Sequence, residues 1–177
     1  MSLIEEKFKQ INFVLKCFGE EEDEFDKIRL VIQKKLNDLI IKYALDYQLV
    51  DKNSVRELKF FSLISRIKEK NSLKEKFVRN NLFEKFEDSF NKQEIDPLEV
   101  KEVLNNLDDI IGVKILTDLN IDCKNMYRLL SSSDFIKDAR NEHIEFDIKD
   151  IKSQPQRMKN GLSIYKIKSK YKNYNFE

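Results

Sequence analysis

The run at residues 107–117 constrains the fold of this chain more than any other stretch. It is the most apolar short segment of a sequence in which 37% of the residues are charged. Short runs rich in Ile and Val with polar flanks are typical of strands buried on both faces of a sheet. Asp109 stands where the apolar run begins, and Gly112 interrupts it. A buried carboxylate needs a hydrogen-bond network or, less often, a metal ion to offset its loss of hydration.

Length and composition favour one domain, with or without a helical appendage, over a multidomain protein. The net charge of +1 argues against a general nucleic-acid coat protein. With only 3 Gly and 2 Pro, the 177-residue chain favours long helices with few tight turns. Cys17 and Cys123 lack the spacing of a disulfide framework or a zinc site, which indicates a reducing, cytoplasmic setting. No segment approaches the roughly 18 apolar residues of a membrane span.

The first fifty residues are expected to form a helical hairpin. Apolar residues at steps of three and four predict one amphipathic helix over residues 3–18 and a second over residues 25–49. The acidic segment at residues 20–26 separates them, and its carboxylates suit the positive dipole end of the second helix. A partner-binding role for the same acidic segment is the alternative.

The middle of the chain reads as mainly helical. Around residue 53 the pattern is ambiguous, because Ser54 with Glu57 resembles a capping box while residues 58–61 fit a short strand. Helices are predicted over residues 62–70, from Ser72 to about residue 91, and from the Asp96-Pro97 step to about residue 106. Asp122 is expected to cap a further helix that reaches about residue 131.

The last third of the chain changes character. Alternation of apolar and polar residues predicts strands at 144–148 and 163–171, with a loop at 153–161 between them. A turn at Lys172-Asn173 could lead into a last strand at 174–177. Helices followed by a small sheet indicate an α+β fold, a small mixed β-sheet flanked by helices.

Candidate chemistry is limited to acids and bases. The single histidine, His143, argues against a His-rich metal site and against a Ser-His-Asp triad. Basic residues could hold phosphates, and a carboxylate among them could hold the Mg²⁺ that accompanies a nucleotide polyphosphate. Equally, lysines that alternate on a strand could face solvent and discourage edge pairing. The basic residues in question are Lys152, Arg157, Lys159, Lys166, Lys168, Lys170 and Lys172 near the end, with Arg56, Lys59, Arg66, Lys68 and Lys114 before them.

Four segments in order resemble the RelA/SpoT-type alarmone synthetases. That family shows an arginine before a Ser-Ile step and a later lysine, then an Asp-Ile-x-Gly-Val-Arg strand, a Gly-Tyr-x-Ser-x-His segment and a Glu-x-Gln strand. The second pattern is similar to Asp109-Ile-Ile-Gly-Val-Lys114. The others resemble, in order, Arg56 with Ser62-Leu63 and Arg66, the segment Asn160-Gly161-Leu162-Ser163-Ile164-Tyr165, and Phe176-Glu177.

The resemblance implies a nucleotidyltransferase-like core over residues 53–177, with a helical insertion at about 72–106 and a separate N-terminal region at 1–52. It implies transfer of pyrophosphate from ATP to the 3′-hydroxyl of a guanine nucleotide or of a tRNA end, in an alarmone synthetase, a toxin or a phage-defence protein. Asp109 would coordinate Mg²⁺, and Glu177 would assist the metal or deprotonate the attacking hydroxyl. The nucleotide-binding residues would be Arg56, Lys59, Ser62, Arg66, Lys114, Lys159, Gly161 and Tyr165.

The chain departs from the family pattern at several of these positions. The lysine expected two places after Arg56 is Leu58, with Lys59 one place late, and Lys114 replaces an arginine. Leu162 stands where the family has the tyrosine that stacks on the acceptor base, and Tyr165 stands at the histidine position. A second interpretation is therefore a non-catalytic synthetase fold, whose helices at 3–49 and 72–91 bind a protein partner or a second copy. A plain helical structural protein is the third.

Overall fold

A computed structural model describes residues 3–44, 61–80, 82, 96–118, 120–148, 154–159 and 161–177. These residues form an α+β fold with five helices, a mixed five-stranded sheet and a two-stranded ribbon. The helices are α1 (Leu3–Ala44), α2 (Lys70–Arg79), α3 (Pro97–Asn105), α4 (Asn120–Leu130) and α5 (Ser133–Asn141). The strands are β1 (Phe61–Ile67), β2 (Ile111–Thr117), β3 (Ile144–Asp147), β4 (Gln156–Arg157), β5 (Ser163–Ile164), β6 (Lys168–Tyr171) and β7 (Tyr174–Phe176). Among the described helices, none has a stretch both long and apolar enough to cross a membrane.

Helix α1 is one continuous helix of 42 residues, so the predicted helical hairpin is wrong over the described part of the region. The acidic segment at 20–26 lies inside the helix rather than at a break. Glutamates are good helix formers, and their charge is offset from outside, because Lys101 of α3 lies 2.8 Å from both Glu21 and Glu24. The helix therefore continues through residues 20–26, where the acidic residues had suggested the start of a second helix.

The buried face of α1 packs against one face of the five-stranded sheet. Its contribution to the core includes fully buried aromatic and branched side chains, with rings of Phe18 and Phe25 at a centroid distance of 5.8 Å. Phe25 also meets Tyr174 of β7 edge-on at 5.9 Å. The buried residues of α1 are Ile11, Val14, Cys17, Phe18, Phe25, Ile32, Leu36, Leu39, Ile40 and Ala44. Helix and sheet thus share one core.

The five-stranded sheet has the order β1-β2-β7-β6-β3. Strands β1 and β2 are antiparallel, β2 and β7 are parallel, and β7, β6 and β3 are antiparallel in turn. The prediction of a helix over residues 62–70 is wrong, because Phe61–Ile67 pairs with β2 along its whole length. The predicted strand at 107–117 begins only at Ile111, and it is not buried on both faces, since helices cover one face and Lys114 and Leu116 are exposed on the other.

Several local predictions are confirmed. Asp96 caps α3 by accepting a hydrogen bond from the Leu98 amide, with Pro97 in the first turn. Strand β3 lies where alternation placed it, and β7 follows the predicted turn at Lys172-Asn173. The segment at 163–171 is instead divided, because β5 pairs with β4 in the separate ribbon while β6 joins the main sheet.

Two predicted helix starts are shifted. Helix α2 begins at Lys70 with Glu69 at the N-cap, so Ser72 lies inside the helix rather than at its start. Asp122 is buried in the first turn of α4, which begins at Asn120. The possible capping box at Ser54 lies outside the described residues. So do residues 45–49, the end of the second helix predicted for the N-terminal region.

Helix α1, helix α3 and strand β7 are joined by a polar network around Glu24. Lys101 donates to Glu24, and the Tyr174 hydroxyl donates to the same carboxylate. These hydrogen bonds, Lys101 first, lower the pKa of Glu24 from 4.5 to about 2. Burial and the bond to Glu24 raise the pKa of Tyr174 to about 12. The network stabilises the fold while Glu24 is ionised and Tyr174 is protonated.

We therefore predict that the stabilising effect of Glu24 is lost in acid. A carboxyl group whose pKa is lower in the folded state than in the unfolded state stabilises above its unfolded pKa of about 4.5, and that contribution disappears as the pH falls towards 2. The difference in unfolding free energy between wild type and Glu24→Gln, measured in urea, should be constant from pH 6 to 8 and shrink below pH 4.5. Glu20→Gln, at an exposed position on the same helix, is the control for the loss of one acidic charge. A constant difference for Glu24→Gln down to pH 3 would contradict the assignment.

Candidate functional site

The face of the sheet opposite the helices carries the predicted phosphate-binding residues of β1 and β2. Even-numbered residues of both strands lie on this face, while the odd-numbered residues face α1. Arg66 pairs with Gly112, and Ile64 pairs with Lys114, so the two cations lie on adjacent strands and are offset by two residues along them. Ser62 pairs with Leu116 at the far end, about 13 Å from Arg66 at roughly 3.3 Å per residue.

Glu177 lies on the same face, beside Gly112. Its amide donates to the Ile111 carbonyl oxygen at 3.2 Å, and its own carbonyl oxygen accepts from the Val113 amide at 2.8 Å. This pattern continues the parallel pairing of β2 with β7 and places Glu177 level with Gly112. The Glu177 carboxylate is held by Lys166, whose Nζ lies 2.6 Å away.

Gly112 of β2 lies between Arg66 of β1 and Glu177, which directly follows β7. A Cβ atom at this position would lie 3.5 Å from Arg66 Cγ and 3.6 Å from its Nε, so the arginine side chain lies over the glycine. A row of Arg66, Gly112 and Glu177 therefore spans three neighbouring strands.

Asp109 lies in the turn before β2, where it is held by two lysines. Lys68, just after β1, lies 2.8 Å from Oδ2, and Lys76 of α2 contacts Oδ1. The side chains are 33% exposed for Asp109, 13% for Lys68 and 14% for Lys76. Burial by itself raises the pKa of Asp109, but hydrogen bonds from Lys68 and Lys76 more than offset it and hold the pKa below its ordinary value. Asp109 is thus an ionised carboxylate with both oxygens engaged.

Lys68 and Lys76 are the cations closest to Asp109, and Lys76 was not among the sequence candidates. The sequence does contain an order of residues that points to both lysines. Arg66 is followed two places later by Lys68, then by the Ser72-Leu73 step and by Lys76, which is the order of the family's first pattern. The helix predicted over 62–70 concealed this order, because only a strand that ends at Ile67 brings Lys68 to the turn of Asp109. The Lys68 amide donates to the Ile110 carbonyl oxygen at 2.9 Å, which fixes that approach.

The remaining predicted residues lie elsewhere or outside the described residues. Arg56 and Lys59 belong to the part that the structure does not describe. Lys159 and Gly161 lie in the turn of the β4–β5 ribbon, where the Gly161 amide donates to the Met158 carbonyl oxygen. The Tyr165 ring stacks on Tyr127 of α4 at a centroid distance of 4.8 Å, on the helix-covered side.

A second carboxylate, Asp108, adjoins the site and was also missed by the sequence reasoning. It accepts hydrogen bonds from Lys168 of β6 and Asn175 of β7. The hydrogen bond to Asp108 and the charge of that carboxylate raise the pKa of Lys168, with smaller contributions from Glu177 and Asp147. The residues border a shallow groove of about 430 Å³ across β7, β6 and β3. The groove continues the open face of the sheet away from Arg66.

The chemistry of these carboxylates fits a magnesium ion that arrives with a phosphate. Among the described residues there is no cluster of three or more His, Cys, Asp or Glu side chains that could hold a metal ion alone. Mg²⁺ is usually bound by one or two carboxylates together with substrate phosphates and water. Asp109 and Glu177 could act as ligands of this kind if the lysines that now contact them moved to another anion. Those lysines are Lys68 and Lys76 for Asp109 and Lys166 for Glu177.

A larger depression of about 640 Å³ lies between α1 and α5. Lys35 is paired with Glu142, and Lys42 with Asp138, which also accepts from the Tyr43 hydroxyl at 2.5 Å. Lys34, Lys35 and Lys42 line it, but Lys35 and Lys42 contact two different carboxylates, whereas Lys68 and Lys76 share Asp109. The open face of the sheet is therefore the better candidate, although it is the shallower surface.

We predict that Asp109→Asn destabilises the protein and that sulfate partly rescues it. The amide leaves two mostly buried ammonium groups without a counter-charge, at a cost of about 1–3 kcal/mol in unfolding free energy. In urea unfolding at constant ionic strength, a few millimolar sulfate should stabilise Asp109→Asn more than wild type, because sulfate can lie between the two lysines. Asp118→Asn, which alters an exposed carboxylate just after β2, serves as the control, and an equal sulfate effect on all three proteins would contradict the anion site.

Comparison with protein-family models, with curated proteins and with solved structures finds no match for this chain. The interpretation of the site accordingly depends on its geometry and on the residue types that it brings together.

Proposed function

We propose that the protein is a RelA/SpoT-like nucleotide pyrophosphokinase with a nucleotidyltransferase-like core, acting in the cytoplasm. It would transfer pyrophosphate from ATP to the 3′-hydroxyl of a guanine nucleotide or of a tRNA end. The observation that carries the proposal is the convergence of Lys68 and Lys76 on Asp109, just before β2, with Arg66 of β1 paired opposite Gly112 of β2.

The family resemblance is closer in this register than at Arg56. Arg66 is followed two places later by Lys68, then by the Ser72-Leu73 step and by Lys76. The family pattern has these residue types in this order before its Asp-Ile-x-Gly-Val-Arg strand. If the first pattern begins at Arg66 rather than at Arg56, the lysine expected two places later is present as Lys68, in place of the mismatch at Leu58.

Charge and position support an ATP site at the β1–β2 end of the open face. Pyrophosphoryl transfer needs charge neutralisation and in-line positioning far more than covalent catalysis. Arg66 offers a planar fork for a phosphate, while Lys68, Lys76 and Lys114 act as point charges. Asp109 would hold Mg²⁺, which when bound would neutralise charge on the transferred phosphates, and Glu177 would either assist the metal or act as a base.

Glu177 is the candidate general base for the acceptor hydroxyl. The 3′-oxygen would attack the β-phosphorus of ATP, the bond from that phosphorus to the α–β bridging oxygen would break, and AMP would leave. The hydroxyl proton would pass to the Glu177 carboxylate. The acceptor then lies over β7 and β6, along the groove that Asp108 and Lys168 border.

The second candidate is a synthetase fold that binds nucleotide without catalysis. Leu162, at the end of the ribbon turn, is 64% exposed and has no aromatic face for a base. Tyr165 is engaged with Tyr127 rather than available to an acceptor. These two observations favour a protein that retained the ATP site and lost acceptor recognition.

Transfer of label from ATP separates the two candidates. With γ-labelled ATP, Mg²⁺ and, separately, GDP, GTP or tRNA, wild type should label one acceptor, whereas α-labelled ATP should label none, because AMP leaves. Lys76→Met should lower the transfer rate by about 100-fold, as expected for loss of one charged group that stabilises a transition state.

Lys74→Met is the matched control, since Lys74 is exposed on the same helix two residues away. It should leave the rate unchanged. ATP binding without transfer to any acceptor would favour the non-catalytic candidate. Equal rates for Lys76→Met and wild type would remove Lys76 from the site.

A further inference from the structure

The state of Asp109 determines how a metal ion can reach it. Both carboxylate oxygens accept from ammonium groups, one from a residue after β1 and one from α2. The two lysine side chains are mostly buried, so water screens these charges less than it would on the surface. A divalent cation that approached Asp109 in this arrangement would meet two positive charges at bonding distance from its ligand.

The same two lysines are suited to hold phosphate oxygens. A polyphosphate offers several anionic oxygens in place of one carboxylate, and lysine is a point charge on a flexible stem that can move from one anion to another. When the ammonium groups move to phosphate, the carboxylate loses its counter-charges and becomes a metal ligand. Arg66 on the adjacent strand adds a third cation for the incoming anion.

We propose that Lys68, Asp109 and Lys76 form a lysine lock, in which the two lysines exclude a divalent metal from Asp109 until a polyphosphate binds and draws them away. The inference rests on the proposed function for the identity of the anion and deepens it by setting the order of binding: polyphosphate first or together with the metal, and never the metal alone. A similar ion pair follows β7, where the Lys166 ammonium group contacts the carboxylate of Glu177, the other candidate metal ligand.

The lock makes an unusual prediction: removing cations from the site should create a metal site in the absence of nucleotide. Lys68→Met with Lys76→Met frees Asp109 and replaces each ammonium stem by an apolar chain of similar length. Mn²⁺ binding, measured by electron paramagnetic resonance without nucleotide, should be about tenfold tighter or more in this double variant, because two repelling charges are gone. Adding Asp109→Asn to the double variant should abolish the gain.

A matched control removes the same charge elsewhere. Lys74→Met with Lys124→Met lowers the net charge equally at two exposed positions and should leave Mn²⁺ binding as in wild type. The complementary measurement is ATP binding in EDTA. Wild type should bind ATP without metal, since its lysines are the phosphate ligands, and the Lys68/Lys76 double variant should lose most of that affinity.

Two results would overturn the lock. Wild type could bind Mn²⁺ alone as tightly as the double variant, which would mean that the lysines do not exclude it. Alternatively, the folded double variant could show no gain, which would mean that Asp109 is not a metal ligand. If the double variant does not fold, Lys76→Met alone should show a smaller gain in the same direction. If no label is transferred, the proposed enzymatic activity is contradicted. The lock is tested separately, by the Mn²⁺ and ATP binding measurements.

Discussion

The structure depends on the burial of one face of α1 against one face of the five-stranded sheet. Each fully buried Phe, Ile or Leu side chain contributes about 1.5–3 kcal/mol relative to its exposed state, so a helix with such residues along most of its length dominates the core. Polar contacts set the angle of approach, because Arg29 donates to the Ser65 hydroxyl at 2.8 Å and Gln33 donates to the Leu63 carbonyl oxygen at 3.2 Å. With one face of the sheet covered in this way, the other remains free for charged side chains.

The open face is organised by pairs of opposite charges rather than by a pocket. Lysines meet Asp108, Asp109 and Glu177 along the ends of β1, β2, β6 and β7. Cations gathered at one place without such partners would repel one another and destabilise the fold. Paired carboxylates allow the cations to accumulate, and the same carboxylates are the groups that a metal-dependent phosphoryl transfer would need. Stability and the proposed chemistry thus draw on the same side chains.

Prediction from sequence succeeded where the signal is local. The Asp96-Pro97 step starts α3 because capping requires only neighbouring atoms. Alternation located β3, and the turn at Lys172-Asn173 located β7, for a similar reason. It failed for β1, whose residues Leu63, Ser65 and Ile67 face α1 while Ile64 and Arg66 face outward, because the pairing of this strand with β2 outweighs its local helical signal. It failed for α1 because the charge that offsets the acidic segment comes from Lys101, far along the chain.

The sequence by itself determined the α+β class, the apolar strand after Asp109 and the residue types of the site, since these follow from patterns of hydrophobicity and from composition. Tertiary structure alone decided which cations meet which carboxylate. Lys68 and Lys76 stand 41 and 33 residues before Asp109 in the chain, yet they hold its two oxygens. Electrostatic interaction depends on distance in space and on burial, and neither can be read from sequence separation before the strands are paired.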